Sequence, residues 1–140
     1  MKATLDHIGV AVRGLSDAIA FYRDALGLEV SEPTDVPSER VRAAFVAVGQ
    51  ASIELLEATA PDSAIARSIE RRGEGLHHVT LAVDDLSAAL AQLKARGVRL
   101  VDETPRPGAH GTRVAFVHPS STGGVLLELK ERTSGPGDPA

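Results

Sequence analysis

The sequence predicts an α+β fold in which two tandem βαβββ units pair by pseudo-twofold symmetry into a curved mixed sheet. A strand that occurs twice is the first observation behind this. LDHIGVAVRG at residues 5–14 overlays on the stretch EGLHHVTLAVDD at 74–85, so that His7 falls on His78, Val10 on Leu81 and Val12 on Val83. An apolar stripe at helical spacing follows each copy: Leu15, Ala18, Ile19, Tyr22 and Leu26 in the first, Leu86, Ala89, Leu90 and Leu93 in the second. Finally, an offset of 71 residues holds for His7/His78, Leu15/Leu86 and the Ala-Phe-Val triplets at 44–46 and 115–117. It grows to 74 at Glu54/Glu128 because the turn HPSSTGG (118–124) is three residues longer than GQAS (49–52).

In the first unit, about residues 4–58, residues 4–12 alternate as a strand with His7 inside it. Ser16 is the expected N-cap of the following helix and Gly27 its stop. Residues 28–31 read as a second strand and PTDVPS (33–38) as a loop; 41–48 and 51–57 read as two strands around Gly49-Gln50. A connecting helix over about 61–73 carries Ile65 and Ile69 on one face and ends near Gly73. The second unit, about 76–132, repeats the order: strand 77–83, a helix stopped at Gly97, strand 98–101, loop 104–111, and strands 113–117 and 125–130. The tail 133–140 is small, polar and rich in Pro and Gly, and is expected to fray. The 140 residues read as a single domain.

Composition narrows the function classes. A net charge of -4, no basic run and only four aromatic residues argue against a nucleic-acid partner. No apolar stretch approaches the ~18–20 residues of a membrane span, so no membrane partner is expected. The N-terminal run is broken by Asp6 and Arg13 and does not read as a secretory signal. With no cysteine there is no disulfide and no thiolate chemistry, which fits a cytoplasmic location.

Each unit places one histidine in its first strand and one glutamate in its last, giving His7, Glu54, His78 and Glu128. Symmetric pairing brings equivalent positions to the axis, where two imidazoles and two carboxylates suit a divalent cation such as Co, Mn, Ni, Fe or Zn. Taken singly, a histidine in an apolar strand is more often a core residue and a strand glutamate more often faces solvent. Four ligand types at repeat-equivalent places outweigh that, and two buried carboxylates without a cation would be costly. Glu57 is expected to face solvent, and His77 to face away from His78 as a packing residue. His110 and His118 sit in a loop and a turn and are expected to be solvated; Arg71, Arg72, Arg113 and Lys130 could hold phosphate.

These residues resemble the vicinal oxygen chelate superfamily. More narrowly, LDHIGVAV, IELLEA, DSAIARSIERRGEGLHHVTLAVDD and RVAFVHPSSTGGVLLELKE are similar to the methylmalonyl-CoA epimerases, over about residues 4–132. The resemblance implies that His7, Glu54, His78 and Glu128 ligate one divalent ion, usually cobalt, and that the protein is a homodimer acting on an acyl-CoA. It implies interconversion of (R)- and (S)-methylmalonyl-CoA by proton abstraction at C2 through a metal-stabilised enolate, with Glu128 as one acid/base group. The family's second base usually lies in a Pro-Glu-Gln/His-Gly-Val stretch. Here that stretch is Pro37-Ser38-Glu39-Arg40-Val41, which puts Ser38 at the expected place and makes Glu39 the candidate base. Ser120 stands where many relatives carry a lysine.

Two other functions stay open at this stage. A glyoxalase I-like lactoylglutathione lyase uses a similar His/Glu/His/Glu set, and a drug-binding resistance protein on the same scaffold needs no metal. A dioxygenase fits less well, since two histidines and one carboxylate leave it a third open position that a fourth ligand would fill.

Overall fold

The computed structural model describes residues 1–108 and 111–132, so the expectations for His110 and for the tail lie outside the described residues. Its elements follow the predicted order: β1 (Ala3–Ala11), α1 (Leu15–Ile19) continued by a π-helical segment (Ala20–Ala25), β2 (Thr34–Val36), β3 (Val41–Val48), β4 (Ala51–Ala58), α2 (Ala64–Arg72), β5 (Gly75–Val83), α3 (Leu86–Ala95), β6 (Arg106–Pro107), β7 (Arg113–Val117), a 3-10 turn (Pro119–Ser121) and β8 (Leu127–Glu131).

The chain forms two compact units, Asp6–His78 in one and Met1–Leu5 with Val79 onward in the other. The hydrogen-bonded order is β2-β3-β4-β1 in the first and β5-β8-β7-β6 in the second. Both mix directions in the same way. β1 runs parallel to β4 and β5 parallel to β8, whereas β3–β4 and β7–β8 are antiparallel.

Each unit has its own apolar core. In the first, Leu15 and Ile19 pack on Ala44, Val46 and Leu55, and Ile65 of α2 packs on Ala11, Val41, Ala43 and Leu56. In the second, Leu86, Ala89 and Leu90 pack on Val83, Ala115, Val117 and Leu129. Small and branched side chains fill both, as the scarcity of aromatic residues requires.

Local rules account for the element ends. Gly27 and Gly97 both take φ of 74° after their helices, a left-handed conformation that glycine adopts without strain. The first helix is one residue longer between Leu15 and Gly27 than the second between Leu86 and Gly97, and the extra residue is wound as the π-segment, where the Leu26 amide donates to the Phe21 carbonyl at 3.0 Å. Ser63 and Asp85 cap α2 and α3 through their side chains.

Four expectations need correction. The stretch 28–31 is no full strand: it makes one bridge, Val30 to Val46, and 98–101 makes one, Leu100 to Val117. The expected loops 33–38 and 104–111 instead hold β2 and β6. Pro33 and Pro105 supply the physical reason, because a residue with no amide donor breaks the edge strand into two short pairings against one neighbour. The N-cap of α1 is Gly14, which offers no side chain, rather than Ser16. Glu57 does not simply face solvent: its Oε2 accepts from the Leu15 amide at 2.5 Å. Glu131, its repeat partner, accepts from the Leu86 amide at 2.9 Å. A carboxylate from the last strand of each unit thus satisfies the open amide end of that unit's first helix.

Candidate metal centre

The first unit brings three of the predicted ligands together. β1 and β4 are parallel with His7 opposite Ser52 and Gly9 opposite Glu54, so His7, Gly9 and Glu54 share a face. His78, at the N-terminal end of β5, lays its ring over Gly9, where a Cβ would come within 2.2 Å of the His78 Cε1. Only a residue without a side chain leaves room for that imidazole. Gly9 is a site residue that the sequence reading passed over, although a glycine inside a strand is a known sign of close approach.

Three donor atoms face one another. His7 Nε2 lies 3.2 Å from His78 Nε2 and 3.4 Å from Glu54 Oε1, and His78 Nε2 lies 3.7 Å from the same oxygen. An ion with ligands ~2.1 Å away spaces them ~3.0 Å apart at right angles and ~3.4 Å apart in a tetrahedron. The triangle therefore has the width of one divalent ion, and His7, Glu54 and His78 form a group able to hold it. All three are sheltered, with side-chain exposures of 13% for His7, 18% for Glu54 and 9% for His78. Burial, and then the neighbouring His77 and His7, push the His78 pKa down to about 3, so at neutral pH this ring is uncharged and keeps a lone pair to donate.

The histidines are also held from behind. His7 Nδ1 is 2.7 Å from Asp6 Oδ2. His77 is more than the packing residue that strand alternation suggests, since its Nδ1 is 2.9 Å from His78 Nδ1. Burial, with Arg72 and Arg71 close by, lowers the His77 pKa as well. Phe45, opposite Glu54 in β3, sets its ring edge-on to His7 at 6.4 Å between centroids and remains 40% exposed.

Glu128, the fourth predicted ligand, stands on β8 of the second unit opposite Thr80, whose hydroxyl donates to Glu128 Oε1 at 2.6 Å. Glu39 is exposed in the tight turn Pro37–Arg40, where Arg40 takes a left-handed φ of 55°. His118 uses Nδ1 to accept from the Ser120 amide at 3.0 Å and so caps the 3-10 turn. Arg113 is engaged with Glu131 and Ser87. No described helix is long and apolar enough to cross a membrane.

Residues 6–116 match the Glyoxalase/Bleomycin resistance protein/Dioxygenase superfamily. The mitochondrial methylmalonyl-CoA epimerase of Bos taurus is 42% identical over 128 residues, covering 91% of this chain and 73% of that protein. The ethylmalonyl-CoA/methylmalonyl-CoA epimerase of Cereibacter sphaeroides is 38% identical, covering 94% of this chain and 99% of that one. Among solved structures, a methylmalonyl-CoA epimerase in complex with methylmalonyl-CoA and NH4+ superposes with a TM-score of 0.85 at 34% identity, covering 96% of this chain and 97% of that one. With its matched length, its repeated units and its His/Glu/His cluster, the chain belongs to the glyoxalase/bleomycin resistance protein/dioxygenase superfamily and, within it, to the family of its methylmalonyl-CoA epimerase relatives.

Proposed function

We propose that this protein is a metal-dependent epimerase that interconverts (R)- and (S)-methylmalonyl-CoA by removing and returning the proton at C2. One observation carries the reading: the sheltered triangle of His7 Nε2, His78 Nε2 and Glu54 Oε1, in a chain whose relatives include named epimerases. A divalent ion held there would supply positive charge beside the thioester and carboxylate oxygens, offsetting the negative charge that develops when the C2 proton leaves.

The chain's own residues have separate roles in this reading. His7, Glu54 and His78 hold the ion; Glu128 is assigned as fourth ligand because it is the repeat equivalent of Glu54, and as one acid/base group because it resembles the epimerase ligand with that role. The hydroxyl of buried Thr80 keeps the Glu128 carboxylate oriented. Glu39 is assigned as the second acid/base group: its exposed carboxylate sits on a tight turn one residue after the position at which the family carries its own. An epimerase needs such a pair, one group to take the proton from one face and one to deliver it to the other. Phe45 offers an apolar surface for the 2-alkyl substituent. The reading carries with it cobalt as the ion, a homodimer, and a cytoplasmic location in keeping with the absence of cysteine.

Deuterium wash-in at C2 of methylmalonyl-CoA, followed by NMR in D2O, tests the proposal. Exchange that stops with a chelator and returns with added Co2+ is expected. No exchange, alongside turnover of a methylglyoxal–glutathione hemithioacetal, would assign the site to a glyoxalase-type lyase instead.

A further inference from the structure

The residue before each cluster histidine occupies one place in the repeat: Asp6 precedes His7 and His77 precedes His78, again 71 positions apart. Neighbours in a strand point to opposite faces, yet both of these reach round to the ring beside them. Asp6 Oδ2 lies 2.7 Å from His7 Nδ1 and His77 Nδ1 lies 2.9 Å from His78 Nδ1. The two histidine rings of the second pair stand perpendicular, at 88°, so that one nitrogen's N–H can point at the other's lone pair. In both cases the contact is to Nδ1 and leaves Nε2 turned toward Glu54 Oε1 and toward the other cluster Nε2, 3.2 Å away.

We infer that Asp6 and His77 are positioning residues that fix the proton of each cluster histidine on Nδ1, and so commit Nε2 of His7 and of His78 to ligation. A carboxylate can only accept, so the hydrogen at the Asp6 contact belongs to His7 Nδ1. Between two Nδ1 atoms 2.9 Å apart only one hydrogen fits. Placing it on His78 makes His77 the acceptor and gives His77 its own proton on Nε2. The duplicated unit thus uses one backbone position for one task with two chemistries, an anionic acceptor in the first copy and a neutral one in the second. Ligand histidines in general donate their second ring N–H to such a partner, and losing that partner typically costs 10–100-fold in metal affinity. The inference rests on the metal-site reading for its purpose, although the position of the protons can be read without any metal.

Long-range 1H–15N correlation NMR of the full-length, metal-free chain labelled on histidine reads the tautomers directly. His7 and His78 are each expected to carry a hydrogen on Nδ1 and His77 one on Nε2, and a further hydrogen shared between the two cluster Nε2 atoms, 3.2 Å apart, is the one an ion displaces. On titration with Zn2+ the Nε2 signals of His7 and His78 should move while both Nδ1–H remain. His77→Leu removes the acceptor and should give a mixed His78 tautomer with roughly 10–100-fold weaker Zn2+ binding. His77→Asn sets an amide oxygen where Nδ1 stood and should restore both properties, which a merely structural role would not require; it also keeps the test alive if the leucine variant folds poorly. His78 found without a hydrogen on Nδ1 in the unsubstituted protein, or Zn2+ held as tightly by His77→Leu, would overturn the inference. If the unsubstituted protein shows the expected tautomers but takes up no Zn2+, the metal-site reading fails while the proton assignment stands.

Discussion

Gly9 stands opposite Glu54 where β1 meets β4, and its counterpart Thr80 stands opposite Glu128 where β5 meets β8. In the first unit the missing side chain admits the ring of His78; in the second the same place carries a buried hydroxyl bonded to the glutamate. Phe45 and Phe116 differ likewise. Phe45 is open beside His7, whereas Phe116 lies under the Arg106 guanidinium, 4.9 Å from the ring centroid. Elsewhere the units agree closely: Glu57 and Glu131 cap equivalent helices, and Gly27 and Gly97 end them. Beyond the repeated histidine and glutamate, where the copies agree the residues serve the fold, and where they part they shape the surroundings of those donors.

Substitutions can break that division. His78→Ala should have the largest effect, removing metal and turnover together while leaving a folded chain by circular dichroism; metal analysis of the purified variant checks it. Next is Glu39→Gln, expected to keep the metal and to slow C2 proton exchange by roughly 10²–10⁴-fold, the usual range for a general base. Normal exchange in that variant would remove Glu39 from the mechanism. Gly9→Ala drives a methyl into the His78 ring, at a cost of about 1–3 kcal/mol for overpacking and with a clear loss of metal affinity. Thr80→Val, its counterpart, should retain the metal and lose about 1.5–3 kcal/mol of stability with the hydrogen bond to a charged acceptor. Equal metal affinities in these two variants would erase the proposed difference between the units.

The smallest effects probe the agreement instead. Glu57→Ala and Glu131→Ala should each lower stability by about 0.5–2 kcal/mol, as loss of a helix cap does, and by similar amounts, with metal binding intact. Thermal melts of the two variants, compared side by side, measure this.

Those same residues show what a reader of the sequence can and cannot see. The constant offset makes the two histidines and two glutamates stand out, because repetition marks position independently of any contact. Three of them do converge. Pro33 and Pro105 moved the second strand of each unit, since a break in an edge strand depends on which neighbour offers a free edge. Glu57 looked solvent-facing because its partner, the Leu15 amide, is 42 residues away in the chain. Gly9 was silent for a related reason: its role is the space it leaves for a ring that arrives from β5. His77 was misjudged by alternation alone, which fixes the direction of a Cβ and not the reach of a ring nitrogen along the backbone.

Cobalt titration of the metal-free chain, followed by visible absorption, tests the central claim most directly. It should saturate at about one ion per chain, with His7→Ala, Glu54→Ala and His78→Ala each abolishing the high-affinity phase. Saturable binding that survives all three substitutions, or no binding by the unsubstituted chain, would contradict a metal centre built from these donors.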